Sequence, residues 1–166
     1  MDTSMYQPGD VILFAGKSWI SRGIEWFTDS KYSHAALYVG NGYIIEATEA
    51  GVEKNLLTFK GCSGHCVRRM PGLTSDAAKA IVAKAESLIY DNYDFLQLLT
   101  LGVYYGFRRL GITWSALVAN MPNKMICSEL VAVSYLVVPD KFKDQTKLVT
   151  PDTLYTTSLL QTIEEI

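Results

Sequence analysis

Runs of apolar residues, bounded by turn residues, predict short strands in the first seventy positions. The runs cover residues 11–14, 34–39 and 43–48, and residues 65–70 are predicted as a further strand that ends before Pro71-Gly72. Continuous apolar runs of this length are typical of buried strands. The tripeptide Gly40-Asn41-Gly42 separates the second run from the third, which is a strong β-hairpin signal. The first part of the chain therefore predicts a hairpin-rich sheet.

Apolar residues at helical spacing predict helices on both sides of this sheet. The predicted helices cover residues 18–30, 55–60, 75–89, 127–138 and 151–160, with one or two more between Phe95 and Pro122. Thr74 or Ser75 is a suitable N-cap for the alanine-rich helix, and Pro139 ends the helix that begins at or next to Cys127. Helices around a hairpin-rich centre predict an α+β domain.

Length and charge narrow the classes of protein that the chain can represent. At 166 residues, with 49% apolar residues, the chain is most simply one domain that spans residues 1–166. The net charge is −2 and the basic residues are scattered, which gives no case for nucleic acid as a partner. The first ten residues lack the basic and apolar regions of a secretory signal, so we expect a cytoplasmic location.

Residues 95–119 are the most apolar stretch of the chain. Arg108 and Arg109 interrupt it, so neither half reaches the roughly twenty apolar residues that a spanning helix needs. We therefore predict no transmembrane segment. Two interpretations of the aromatic side chains near and within this stretch stay open: they belong to the core, or they form the wall of an apolar substrate pocket.

Cys127 is a candidate nucleophile because of its place in the chain. A thiol in the first turn of a helix lies next to unpaired backbone N–H groups and the positive end of the helix dipole. Both favour the thiolate, and the same N–H groups can hold a developing oxyanion. The alternative is that Cys127 is a small buried residue without chemistry.

His34 and Glu46 are the candidate base and orienting acid for this thiol. A two-residue loop, Asn41-Gly42, would place them on opposite faces of the sheet. A three-residue loop, Gly40-Asn41-Gly42, pairs Ala36 with Glu46 and puts the acid on the His34 face, roughly 7–8 Å away. We predict the second register, because it also gathers the apolar positions of both strands on the opposite face. The alternative is that His34 is an ordinary turn or surface residue.

Two other polar groups have plainer interpretations. His65 lies within Cys62-Ser63-Gly64-His65-Cys66, but three ligands over five residues without a distant fourth favour a turn over a zinc site. Three cysteines also make an odd count, which does not indicate a disulfide framework. Glu129 is expected to complement the helix dipole. We predict no metal and no organic cofactor.

These motifs resemble those of the circularly permuted papain-like proteins, and most closely the YiiX/YebB-like group. That group is related to the NlpC-type cell-wall peptidases and to lecithin:retinol acyltransferase. The resemblance extends over most of the chain. It rests on residues 9–14, 32–40, 45–47, 51–52, 93–94, 127–131 and 150–154.

The resemblance implies a single permuted papain-like catalytic domain, with a small barrel-like antiparallel sheet packed against helices and the nucleophile at a helix N-terminus. It implies acyl transfer through a thioester, with Cys127 as nucleophile, His34 as base and Glu46 as orienting residue. The expected activity is that of a cysteine hydrolase, an amidase or thiol protease, acting on a small peptide or a cell-wall-derived amide.

Two alternatives to this activity stay open. The first is a lipid acyltransferase or lipid hydrolase of the lecithin:retinol acyltransferase type, in which residues 95–119 line the acyl site or touch a membrane surface. The second is an inactive papain-like binding module. The sequence does not predict the oligomeric state.

Overall fold

The computed structural model describes residues 3–16, 31–48, 51–89, 127–138 and 149–166. The helices predicted for residues 18–30 and between Phe95 and Pro122 lie outside the described residues, and so does the apolar stretch 95–119. Within the described part of the chain, no helix has the length and apolar character needed to cross a membrane. The predicted cytoplasmic location stays a prediction.

The described residues form a six-stranded antiparallel sheet and three helices. The strands are β1 (Val11–Gly16), β2 (His34–Gly40), β3 (Tyr43–Thr48), β4 (Gly51–Leu56), β5 (Cys62–Arg69) and β6 (Gln161–Glu165). The helices are α1 (Ser75–Ser87), α2 (Cys127–Tyr135) and α3 (Pro151–Thr156). The strand order across the sheet is β4-β3-β2-β1-β5-β6. The predicted α+β class is confirmed.

Both faces of the central strands are covered, which explains why their sequences are continuous apolar runs. On one face, the side chains of Leu13, Leu37 and Ile45 pack with those of α1 and α2. On the other face, Ile12 and Ile44 belong to a second buried cluster. Because neighbouring residues of a strand point to opposite faces, β1 and β2 supply both cores.

The β2–β3 hairpin has the predicted register where it matters for the site, but a different turn. Ala36 is paired with Glu46, as predicted. The pairing is irregular between Tyr38 and Gly40, so the hairpin closes through a bulge and a two-residue turn at Asn41 and Gly42, both with positive φ. The bulge shifts the alternation by one residue and keeps His34 and Glu46 on one face, as the predicted three-residue loop would have done.

Two helices start where the sequence predicts. The Thr74 side chain caps α1 by accepting a hydrogen bond from the Ala77 N–H, and α3 begins at Pro151. Helix α1 ends earlier than predicted, because Leu88 is already its C-cap, and α2 ends at Tyr135 rather than Val138.

The sequence did not predict the two edge strands: part of β4 was predicted as a helix, and β6 was left unassigned. The predicted helix over residues 55–60 is wrong: residues 51–56 form β4, which pairs with β3 along its whole length. The outer edge of β3 offers backbone hydrogen bonds that outweigh the weak local helical pattern. The predicted helix over residues 151–160 ends at Thr156, and residues 161–165 add β6 to the edge of β5.

Candidate active site

The sheet brings His34 and Glu46 together on one face. His34 is the first residue of β2, and Glu46 lies on β3 one diagonal step away. The His34 Nε2 atom is 2.7 Å from the Glu46 Oε2 atom. The two side chains remain 30% and 18% exposed, so a small molecule can reach the imidazole from solvent.

Helix α2 places Cys127 beside the imidazole of His34. The helix packs on β2 and β3, and Cys127 is its first residue and half-buried. The Cys127 side chain forms a hydrogen bond with the His34 imidazole. The next residue anchors the start of the helix, because the buried Ser128 hydroxyl donates to the Val149 carbonyl oxygen at 2.6 Å. The three residues that the sequence selects therefore meet at one place.

The imidazole of His34 is held in its protonated form. Burial favours the neutral ring, but the hydrogen bonds and charges of Cys127 and Glu46 outweigh it and raise the pKa of His34 to about 10, from the usual 6.5. The hydrogen bond from His34 in turn holds the pKa of Glu46 below its usual value, against the opposing effect of burial. At neutral pH the pair is an imidazolium and a carboxylate.

A fourth residue joins the site from β4. The Asn55 side-chain amide donates to the Glu46 Oε1 atom at 3.1 Å. The sequence interpretation missed Asn55, because it placed residue 55 in a helix. The weak alternation of residues 51–56 was the available signal.

A pocket of about 270 Å³ opens beside the pair. Its apolar walls come from Phe14, Ile44 and Leu56, and hydroxyl groups come from Ser33 and Thr58; His34 and Glu46 also line it. The Phe14 ring lies 5.6 Å from the imidazole of His34, measured between ring centroids. The pocket therefore combines an apolar surface with the polar groups of the site.

The Cys-Ser-Gly-His-Cys segment belongs to β5, and its first residue, Cys62, lines the pocket beside His34. His65 is buried on β5, and its ring stacks on that of Phe59 with the centroids 3.6 Å apart. Cys66 belongs to the helix-side core, where burial raises the pKa of its thiol, whereas Cys62 contacts the cluster on the other face. The two thiols thus lie on opposite faces although they are four residues apart, because the pairing of β5 with β1 is irregular next to Cys62. The strand that the sequence predicts from His65 onward already begins at Cys62, where a turn was expected.

Glu129 occupies the first turn of α2, as predicted, but its carboxyl is partly buried. Its Oε2 atom is buried and has no hydrogen-bond partner in the described part of the chain. Burial raises the pKa of Glu129 to about 7, so a large fraction of the side chain is neutral at physiological pH. A partly neutral carboxyl complements the helix dipole only weakly. The sequence does not indicate that Glu129 is buried in this way.

Comparisons with known proteins agree with the predicted relationship. Over 93 residues, or 54% of its length, the chain is 32% identical to the probable lipoprotein peptidase YaeF of Escherichia coli K12. The match spans 33% of the length of YaeF. The crystal structure of YiiX from Escherichia coli O157:H7 superposes with a TM-score of 0.66 at 21% identity, covering 96% of this chain and 97% of YiiX. The predicted resemblance to the YiiX/YebB-like group is confirmed. No family model matches the chain.

The YiiX crystal structure is described as that of a metalloprotein. Among residues 3–16, 31–48, 51–89, 127–138 and 149–166, no three His, Cys, Asp or Glu side chains form a group that could hold a metal ion. The described residues therefore do not fit a metal centre. The expected absence of a cofactor stays a prediction.

Proposed function

We propose that the chain is a cysteine peptidase or amidase in which Cys127 attacks the carbonyl carbon of a small peptide amide. The observation that carries the proposal is the hydrogen-bonded series Cys127, His34 and Glu46 at the start of α2. The name of YaeF, a probable lipoprotein peptidase, supports a peptidase-like activity. The match spans only a third of YaeF, so the proposed substrate rests on the geometry of this chain's own site.

His34 accepts the thiol proton and later returns it. Since Nε2 faces Glu46, the ring nitrogen Nδ1 is left for the exchange with Cys127 and the substrate. In the first step the thiolate sulfur forms a bond with the carbonyl carbon, and the C–N bond breaks as the imidazolium protonates the leaving amine. The product of this step is a thioester on Cys127 and a free amine.

Water completes the cycle. His34, now neutral, accepts a proton from a water molecule that attacks the thioester carbonyl, and it then returns a proton to the Cys127 sulfur. Glu46 keeps the ring in position and stabilises its positive charge in both steps. The backbone N–H groups of the first turn of α2, including that of Cys127, are suited to hold the oxyanion of each tetrahedral intermediate.

The pocket beside His34 and Glu46 supports a small substrate. Its volume of about 270 Å³ suits a small group, and its lining combines apolar side chains with the hydroxyl groups of Ser33 and Thr58. A small peptide with a compact apolar side chain fits these properties. A lipid acyl group is the competing substrate, and an inactive binding module is the competing class of protein.

Site-resolved labelling with iodoacetamide tests the proposal. Cys62 is a suitable internal reference, because it is also half-buried. We expect Cys127 to react faster than Cys62 at pH 7, and this advantage to disappear in His34→Ala. Equal rates for Cys62 and Cys127 in the wild type would contradict an activated nucleophile and favour the binding module. Hydrolysis of fluorogenic dipeptide amides, compared with short-chain acyl esters, then separates the peptide substrate from the lipid one.

A further inference from the structure

The β3–β4 pairing places Asn55 beside the acid of the site. Asn55 lies directly opposite Ile44, and Glu46 follows two positions further along β3, on the same face. The Asn55 Nδ2 atom donates to Glu46 Oε1 at 3.1 Å, while Glu46 Oε2 faces His34 at 2.7 Å. Each oxygen of the carboxylate therefore has its own partner.

Two partners fix the plane of the carboxylate. The terminal torsion of a glutamate side chain is broad, so a single hydrogen bond to His34 would leave the carboxylate free to rotate. The second bond, from the opposite side, removes this freedom. Both bonds also favour the ionised form and help to hold the pKa of Glu46 below its usual value, with His34 contributing more than Asn55.

The neighbouring acid shows why a neutral donor is needed here. Glu53 is the direct cross-strand partner of Glu46, and like charges in this position repel each other. The Thr48 hydroxyl donates to Glu53 Oε2 at 2.6 Å, which gives this second carboxylate a partner of its own. Asn55 offers Glu46 a donor without adding charge and without a proton that titrates near neutral pH.

We propose that Asn55 is a positioning residue of the active site, which orients Glu46 so that Glu46 can hold the His34 imidazole. This inference rests on the proposed function. Asn55 does not touch the reacting atoms; it acts through Glu46. Its removal should therefore change the pH dependence of the site as well as its rate.

The experiment compares Asn55→Ala and Asn55→Asp with a matched control, Lys54→Ala. Lys54 is the adjacent residue of β4, and its side chain contacts Glu86 at 2.8 Å, away from the site. The readouts are the pKa of the Glu46 carboxyl by carbon NMR and the labelling rate of Cys127 from pH 5 to 9. Wild type and His34→Ala are measured in parallel, and circular dichroism verifies that each variant is folded.

We expect Asn55→Ala to raise the pKa of Glu46 and to slow labelling at pH 7 by about threefold to tenfold, the effect of losing one hydrogen bond. Asn55→Asp should cause the larger loss at pH 7, because its carboxylate repels Glu46. Its loss relative to wild type should shrink as the pH is lowered, because repulsion from Glu46 raises the pKa of the introduced carboxyl and its protonation removes the repulsion. Lys54→Ala should match wild type in both measurements.

Failure of this inference is distinguishable from failure of the proposed function. If His34→Ala abolishes the fast labelling but Asn55→Ala matches wild type, the role of Asn55 is overturned and the peptidase proposal stands. If Cys127 is labelled as slowly in Lys54→Ala as in Asn55→Ala, a general loss of stability in β4 explains the slower labelling, and the role of Asn55 is again overturned. If wild type and His34→Ala label alike, both proposals are overturned.

Discussion

The His34 Nε2 atom lies 2.7 Å from the Glu46 Oε2 atom, across two neighbouring strands of one sheet. This distance depends on the bulge between Tyr38 and Gly40, because the bulge sets which face of β3 carries Glu46. A hairpin of regular two-residue geometry would point Glu46 to the helix-side core. The turn of the hairpin thus determines whether the histidine has an acid partner.

The charge state of this pair gives the first prediction. Both Cys127 and Glu46 raise the pKa of His34, so Glu46→Gln and Cys127→Ala should each lower it from about 10. Proton NMR of the imidazole would measure the change, with His65 as the internal reference. The mechanism would be contradicted by a pKa of His34 that is equal in wild type and Glu46→Gln.

The same pair predicts how stability depends on pH. The pKa of His34 is higher in the folded protein than its usual value of 6.5, so its contribution is complete below pH 6.5 and is lost as pH rises towards 10. The melting temperature of wild type, relative to that of His34→Ala, should therefore fall between pH 6.5 and 10. Thermal melts at several pH values check this, and a constant difference over that range would contradict it.

The strands of the first hairpin could be predicted because both of their faces are buried. Burial on both faces requires continuous apolar runs, and such runs are visible in sequence, as in residues 34–39. A helix over the residues after Cys127 was predictable from their apolar helical pattern, and residues 127–135 are helical. The resemblance to a known group then gave the roles of Cys127, His34 and Glu46 as predictions.

The edge strands could not be predicted in the same way. An edge strand has one unpaired side and often a partly exposed face, so its sequence need not be apolar. This holds for β4 (GVEKNL) and for β6 (QTIEE), whose residues are mostly partly or fully exposed. Asn55 was missed for this reason, because its role depends on the pairing of β4 with β3.

Glu129 gives a stability prediction that is independent of catalysis. Burial raises the pKa of Glu129 to about 7 in the folded protein, above the usual 4.5. As pH rises from 4.5 to 7, the unfolded chain loses this proton first, so the folded state becomes less stable. Glu129→Gln removes this cost and should be more stable than wild type by about 1 kcal/mol at pH 8, with the advantage shrinking at pH 4. Urea unfolding at both pH values measures it, and an equal or lower stability at pH 8 would contradict it.

The ion pair of Asp10 and Arg69 predicts a large loss of stability. The Asp10 side chain is 1% exposed, and Arg69 donates to both of its carboxylate oxygens at 2.7 Å. Arg69→Ala leaves a buried charge without its partner and should cost about 3 kcal/mol in the free energy of unfolding. The double variant Asp10→Ala/Arg69→Ala should lose less than the sum of the two single variants, and additive losses would contradict strong coupling.

Arg68 holds the connection between α3 and β6. Its guanidinium donates to the carbonyl oxygens of Thr157 and Leu160 and, at 3.3 Å, to the Thr162 hydroxyl. A lysine carries one compact ammonium instead of a planar fork, so Arg68→Lys cannot reproduce these bonds together. We expect the amides of β6 to exchange their hydrogens at least tenfold faster in Arg68→Lys, since losing two bonds to a charged group costs more than about 1.4 kcal/mol.

The β2–β3 amides should be unchanged, because they lie on the other side of β1. Hydrogen exchange followed by mass spectrometry resolves the two regions. Equal acceleration of both would mean that Arg68 stabilises the whole domain, and no acceleration of β6 would mean that the ladder with β5 holds this strand without Arg68.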